Sequence, residues 1–298
     1  MATLYTHQHS NIAKTYLLMG VFLVMVIAIG YAIAWYLQNP AILYIAVVFA
    51  FGMNIYSYWS SDKLVLRMTN AHPADPALHR ELIQVVENLS ITAGLPMPKV
   101  YVVNDPAPNA FATGRNPEHA VVAATTGLLA ILNRTELEGV IAHELSHVGN
   151  RDMLVMTVAV VLAGFVAIVA DMFTRALWFG GGDRDNRNPL FLIIGLVGIF
   201  LAPVAAQLMQ LAVSRKREYL ADASGALLTR YPEGLASALE KISQNNIPMQ
   251  RASNATAHLF IADPFGGRSQ GLRQKISTLF QTHPPAAERI ARLREMDV

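Results

Sequence analysis

Two uncharged runs near the N-terminus constrain this chain more than any other feature. Tyr16 to Leu37 contains no charged residue, and Ala41 to Trp59 contains none either. A helix crosses a bilayer with about 20 apolar residues, so each run is long enough to span. Gln38-Asn39-Pro40 makes a tight turn between them, and together they form a hairpin. A cleaved signal peptide does not suit the first run, because it is too long and a second span follows at once. Two further uncharged runs lie at Met153 to Ala170 and Leu190 to Val213, the latter interrupted by Pro203. Between them "GGGDRDNRN", residues 180 to 188, is a polar linker; it lacks the glutamate that closes a calcium-binding EF-hand loop. The alternative for these last two runs is a pair of buried core helices.

This clustering accounts for the composition, which is 53% hydrophobic and only 15% charged. A net charge of +2, with no basic run interleaved with aromatics, gives no reason to expect a nucleic-acid partner. No Gly-rich phosphate loop is present, so no nucleotide is expected. With no cysteine, any metal must be held by His, Asp or Glu.

The remaining sequence, 60–152 and 214–298, is the soluble part. Leu78, Leu82, Val85, Val86 and Leu89 recur at helical spacing, and Gly94 with Pro96 ends that helix. "KVYVV" at 99–103, "NAFATG" at 109–114 and "HAVVAAT" at 119–125 are expected strands. The expectation is an α+β fold: a polytopic helical membrane protein with a mostly α soluble domain around a small sheet. Its parts are a membrane hairpin at 1–59, two halves of the soluble domain at 60–152 and 214–298, and a second membrane hairpin at 153–213.

"VIAHELSHVGNRD", residues 140–152, carries the chemistry. Thr135 followed by Glu138 suggests a capping box, and the helix is expected over Glu136 to Val148 with Leu137, Val140, Ile141, Leu145 and Val148 inward. His143 and His147, four residues apart, share a face and can direct two imidazole nitrogens at one ion. Glu144 is turned about 100° from His143. It lies beside the ion without having to ligate it, where it can hold the attacking water and take its proton. Glu218 and Asp222 in "EYLAD" share a second helix face. If the last two apolar runs form a hairpin, it returns Glu218 to the histidines. His143, His147 and Glu218 then make a catalytic site for one zinc ion, with Asp222 orienting a ligand histidine.

The chain resembles the HtpX-type membrane zinc metalloproteases, relatives of the type-I CAAX prenyl endopeptidases. The resemblance rests on "HELSHVGNRD" and "EYLAD", and on "SDKLVLRM" at 61–68, "GLPMPKVYVV" at 94–103, "NAFATGRNPEHA" at 109–120 and "THPPAAERI" at 282–290. It implies the same ligands with Glu144 as general base, and an edge strand at Asn109, Ala110, Phe111 and Ala112 to which substrate backbone adds. It also implies that His283 stabilises the oxyanion and Arg289 supports the site. The implied role is ATP-independent cleavage of misfolded or damaged membrane proteins in the bacterial inner membrane. The remaining histidines, at 7, 9, 72, 79, 119 and 258, lack ligand spacing and are expected at the surface or in structural roles. Alternatives are an intramembrane protease, a prenyl-protein endopeptidase and a non-catalytic scaffold or regulator. Charges at Arg134, Glu136, Glu138, Arg151 and Asp152 bracket the motif and speak against the first of these. Lys14, Lys63, Arg67 and Arg215-Lys216-Arg217 flank the spans, which places both termini and the site in the cytoplasm.

Overall fold

The N-terminal apolar runs form two long helices, α1 (Leu4–Tyr36) and α2 (Ala41–Thr69), both long and apolar enough to cross a membrane. The computed structural model describes residues 4–179, 214–245, 247–251, 256–265 and 284–297. The fourth apolar run, the polar linker at 180–188 and His283 lie outside the described residues. α2 continues ten residues beyond Trp59, with Lys63 and Arg67 in its last turns, and stops at Asn70, which adopts a left-handed conformation (φ 54°).

Four short strands follow: β1 (Ala71–Pro73), β2 (Lys99–Val103), β3 (Ala110–Thr113) and β4 (Val121–Thr125), in the order β1-β2-β4-β3. β2 and β4 are parallel; the outer pairs are antiparallel. β1 went unread in the sequence because three residues ending in proline carry no strand pattern. Between the strands, α3 (Arg80–Ala93) buries Leu82, Val85, Val86 and Leu89, whereas Leu78 precedes the helix and is exposed. α4 (Thr126–Ile131) leads into α5 (Arg134–Gly149), which carries the histidine motif.

The sheet is covered on both faces, and successive side chains alternate between the two. Val102, Ala110, Ala112, Val122 and Ala124 share a core with α3 and α5. Val103, Phe111 and Ala123 face Met156 and Val160 of α6 (Asp152–Phe179), together with Leu259 and Phe260. α7 (Arg215–Thr229), α8 (Pro232–Gln244) and α9 (Ala286–Arg294) close the α5 side. α6 leaves α5 at 82°. It then runs alongside α1: Leu18 and Phe22 pack on Leu154, Val155, Val158 and Leu162, and Phe22 meets Phe165 at 6.0 Å. From Met153 to Ala163 α6 is buried throughout, so its apolar sequence serves packing whether or not lipid surrounds the bundle.

Candidate metal centre

α5 begins at Asn133, not at Thr135 as the sequence suggested. The Asn133 side chain accepts from the Glu136 amide (3.0 Å), and Glu136 accepts from the Asn133 amide (2.8 Å). Asn is the better N-cap, and Glu136 is further held by Lys241 at 2.7 Å on α8. Thr135 instead donates to Asn133, and Glu138 pairs with Arg134. The phase of the helix is unchanged: Leu137, Val140, Ile141, Leu145 and Val148 are buried, and His143 and His147 share a buried face.

Across this face lies α7. A side chain on Gly225 would put its Cβ 3.0 Å from the His143 amide nitrogen, so glycine there lets the two backbones approach closely. Asp222 and Glu218, three and seven residues earlier, occupy the same side of α7. Glu218 carboxylate oxygens lie 3.7 Å from His143 Nε2 and 3.6 Å from His147 Nε2, and the two Nε2 atoms are 3.2 Å apart. Among the described residues, His143, His147 and Glu218 form the one buried group whose donor atoms all fall within 4.8 Å of one another.

The other nitrogen of each imidazole is committed. His143 Nδ1 is 2.9 Å from Asp222 Oδ1, and His147 Nδ1 is 3.2 Å from Asp152 Oδ2. Each carboxylate accepts a hydrogen bond from Nδ1–H and leaves the Nε2 lone pair pointing inward, the arrangement metal-ligating histidines use. Asp152 was noted in the sequence only as a charge flanking the motif. The signal available was its place five residues after His147, at the start of the next helix. Asp222 is fixed in turn by Arg289, a fully buried guanidinium that grips both carboxylate oxygens at 2.9 and 2.6 Å.

The charges are arranged to receive a cation. Burial pulls His143 down to about 4, even though Asp222 favours its charged form. Burial also opposes a charge on His147, but Asp152 and Glu218 outweigh it and raise this imidazole to about 9. Burial pushes Asp222 up, while Arg289 and His143 hold it at about 2. The carboxylates that favour a proton between the two Nε2 atoms favour a metal ion in its place. Two neutral imidazoles and a carboxylate form a donor set suited to zinc. Glu144, buried on the same helix, is close enough for its charge to act on His147 and Arg289.

β3 is one of the sheet's two outer strands. The Asn109 carbonyl accepts from the Thr125 amide, so by antiparallel alternation Phe111 and Thr113 bond to β4, while Ala110 and Ala112 face away. The Ala110 carbonyl accepts from the Ile261 amide at 3.0 Å, and the Asn109 side chain is clamped to Ala262 through both its donor and its acceptor. Of the four residues expected to receive substrate, Asn109 and Ala110 are thus already engaged, Phe111 serves the sheet, and Ala112 directs its amide and carbonyl outward. The Ile261 carbonyl accepts from Arg289 at 3.3 Å, tying this strand to the metal centre. His258 is buried beside it, with Nε2 3.4 Å from the Met156 carbonyl, which makes it structural.

A family model described as Peptidase family M48 matches residues 76–297. A protein named Protease HtpX homolog from Caldanaerobacter subterraneus subsp. tengcongensis is 47% identical over 304 residues, covering 99% of each chain. Another of that name from Desulfatibacillum aliphaticivorans is 52% identical over 251 residues, 83% of this chain and 79% of that one. Among solved structures, that of S. mikatae Ste24p superposes with a TM-score of 0.53 at 19% identity. It covers 97% of this chain, which spans 66% of that longer one, and the likeness is one of fold.

Proposed function

Because the chain belongs to peptidase family M48, and so is a membrane metallopeptidase acting on polypeptides, we propose that it is a zinc endopeptidase that cleaves misfolded or damaged membrane proteins without ATP. Its site faces the cytoplasm from a bacterial inner membrane. One observation carries this reading: two Nε2 lone pairs and the Glu218 carboxylate converge on one point, and carboxylates lock both imidazoles from behind.

His143, His147 and Glu218 would hold the zinc. When bound, it supplies Lewis-acid polarisation of the scissile carbonyl and makes water acidic enough to attack near neutral pH. Glu144 takes the proton of the attacking water and returns it to the departing amine. Asp222 and Asp152 keep both ligand imidazoles in the tautomer that the ion requires. The outward amide and carbonyl of Ala112 pair with the substrate backbone, which holds the peptide extended beside α5. His283 donates to the oxyanion, as the family resemblance implies, and Arg289 braces Asp222. The quality-control role draws on the same resemblance and on two exposed apolar helices beside the site, which keep the enzyme where damaged membrane proteins are found.

The test pairs metal analysis with proteolysis. Purified protein should contain one zinc per chain and cleave an unfolded polypeptide such as casein. Chelation should abolish cleavage and zinc should restore it. Selective cleavage of a prenylated C-terminal peptide, with casein untouched, would favour the prenyl-endopeptidase alternative.

A further inference from the structure

The carboxylate that orients His147 is itself held from outside the catalytic segments. Asp152 Oδ2 faces His147, while its other oxygen, Oδ1, lies 2.6 Å from the side-chain nitrogen of Asn11. That same nitrogen lies 3.0 Å from the Asn150 carbonyl. Asn11 sits 141 residues away in sequence, on α1. It is 3% exposed and Asp152 is 1% exposed. An Asn amide nitrogen carries two donors, so this one side chain satisfies both acceptors at the corner between α5 and α6. The contact belongs to a packed interface, since Leu18 and Phe22 of α1 continue it along Leu154, Val155 and Val158 of α6.

We propose that Asn11 is a positioning residue of the metal centre: the first membrane helix fixes Asp152, Asp152 fixes His147, and metal affinity therefore depends on how α1 is seated. A carboxylate held at one oxygen cannot swing, and its second oxygen stays aimed at His147 Nδ1. Asn11 is the nearer of two partners at this oxygen: its neutral amide orients the carboxylate, while the Arg217 guanidinium forms a longer ion pair with Oδ1 at 3.5 Å. The inference rests on reading His143, His147 and Glu218 as a zinc site.

The experiment uses the full-length protein in detergent, with Glu144→Gln throughout so that proteolysis does not intrude. Zinc affinity is measured by competition with a chromogenic chelator, and melting temperatures are recorded with and without zinc. Asn11→Leu, close to Asn in size but without donors, should weaken zinc binding about tenfold, at the low end of what outer partners of metal ligands contribute. It should also shrink the zinc-induced rise in melting temperature more than it lowers the metal-free value. Should Asn11→Leu fail to accumulate, Asn11→Ala, with the best helix former in place of Asn, carries the same expectation. In an Asp152→Asn background, removing the Asn11 side chain should have little further effect on zinc, because the pathway runs through Asp152. Unchanged zinc affinity with equal lowering of both melting temperatures would reduce Asn11 to a packing contact and overturn the proposal. So would additive losses in the double variant. If the Glu144→Gln parent itself held no zinc, the metal-site reading would fall first, and this proposal with it.

Discussion

Glu144 and Glu218 are both buried glutamates of the metal centre, yet the structure separates what each loses on substitution. Glu144 is not among the converging donors, so Glu144→Gln should keep one zinc per chain while proteolysis falls about 10²–10⁴-fold, the usual contribution of a positioned base. A variant cleaving casein at the parental rate would refute the assignment. Glu218→Ala removes the carboxylate of the proposed donor set and should lose zinc on dialysis; full retention would require another ligand. Asp222 needs a gentler change. Asp222→Ala would leave Arg289 buried without its carboxylate, at a cost of about 3–5 kcal/mol, and would confuse folding with metal binding. Asp222→Asn keeps the shape and should weaken zinc about 10–100-fold, measured by chelator competition. His143, His147, Glu218 and Asp222 were legible in the sequence because four-residue spacing puts each pair on one face of a helix. Asp152 was not, because its approach to His147 depends on the 82° turn between α5 and α6, and no helical spacing encodes that angle.

At the scale of elements, the close approach of α7 to α5 is open to test. Gly225→Ala places a methyl group against the His143 backbone and should push α7 away by a few tenths of an ångström. Overpacking of this kind costs about 1–3 kcal/mol. Here it should also lower zinc affinity, since Glu218 moves with α7. A melting temperature and zinc affinity equal to the parent's would show that the approach has slack. On β3, proline distinguishes the two edges. Ala112→Pro removes an outward donor and should depress turnover while zinc and the sheet remain. Phe111→Pro removes a bond to β4 and should destabilise the fold itself. Equal stability in the two variants would invert the assigned alternation. The strand and its glycine stop were visible in "NAFATG": Gly114 has φ 139°, and a Cβ there would lie 2.5 Å from the His119 carbonyl oxygen. The clamp by Ile261 and Ala262 was not visible, because those residues lie some 150 positions away and carry no pattern that points to β3. The cap was misplaced for a related reason. "NRTE" and "TELE" both match a capping box; Asn is the better cap, and Lys241 on α8 further holds Glu136.

For the whole molecule, the question is which way the bundle faces. Asn39 and Asn70 stand beyond opposite ends of α2, which is 29 residues and about 44 Å long. The positive residues cluster at the Asn70 end, which predicts that end to be cytoplasmic. The chain has no cysteine, so single cysteines at Asn39, Asn70 and Arg230, all exposed, can be probed cleanly. In intact cells an impermeant maleimide should label position 39 alone, and positions 70 and 230 only after lysis; the reverse would place catalysis outside. Ser61, an obvious choice from sequence, is buried and would report nothing. The same geometry has a mechanical side. α6 is 28 residues long, about 42 Å, and Asp152 is its first residue. Arg151, with φ 57°, makes the joint with α5, so Asp152 sits at the fulcrum of a long lever. If thickening or bending of the bilayer tilted α6 by about 10°, its far end would travel about 7 Å, whereas Asp152 would shift by a few tenths of an ångström, on a lever of that length. Such a tilt would leave the carboxylate at the root of α6 almost still, and with it the imidazole of His147 that the carboxylate orients.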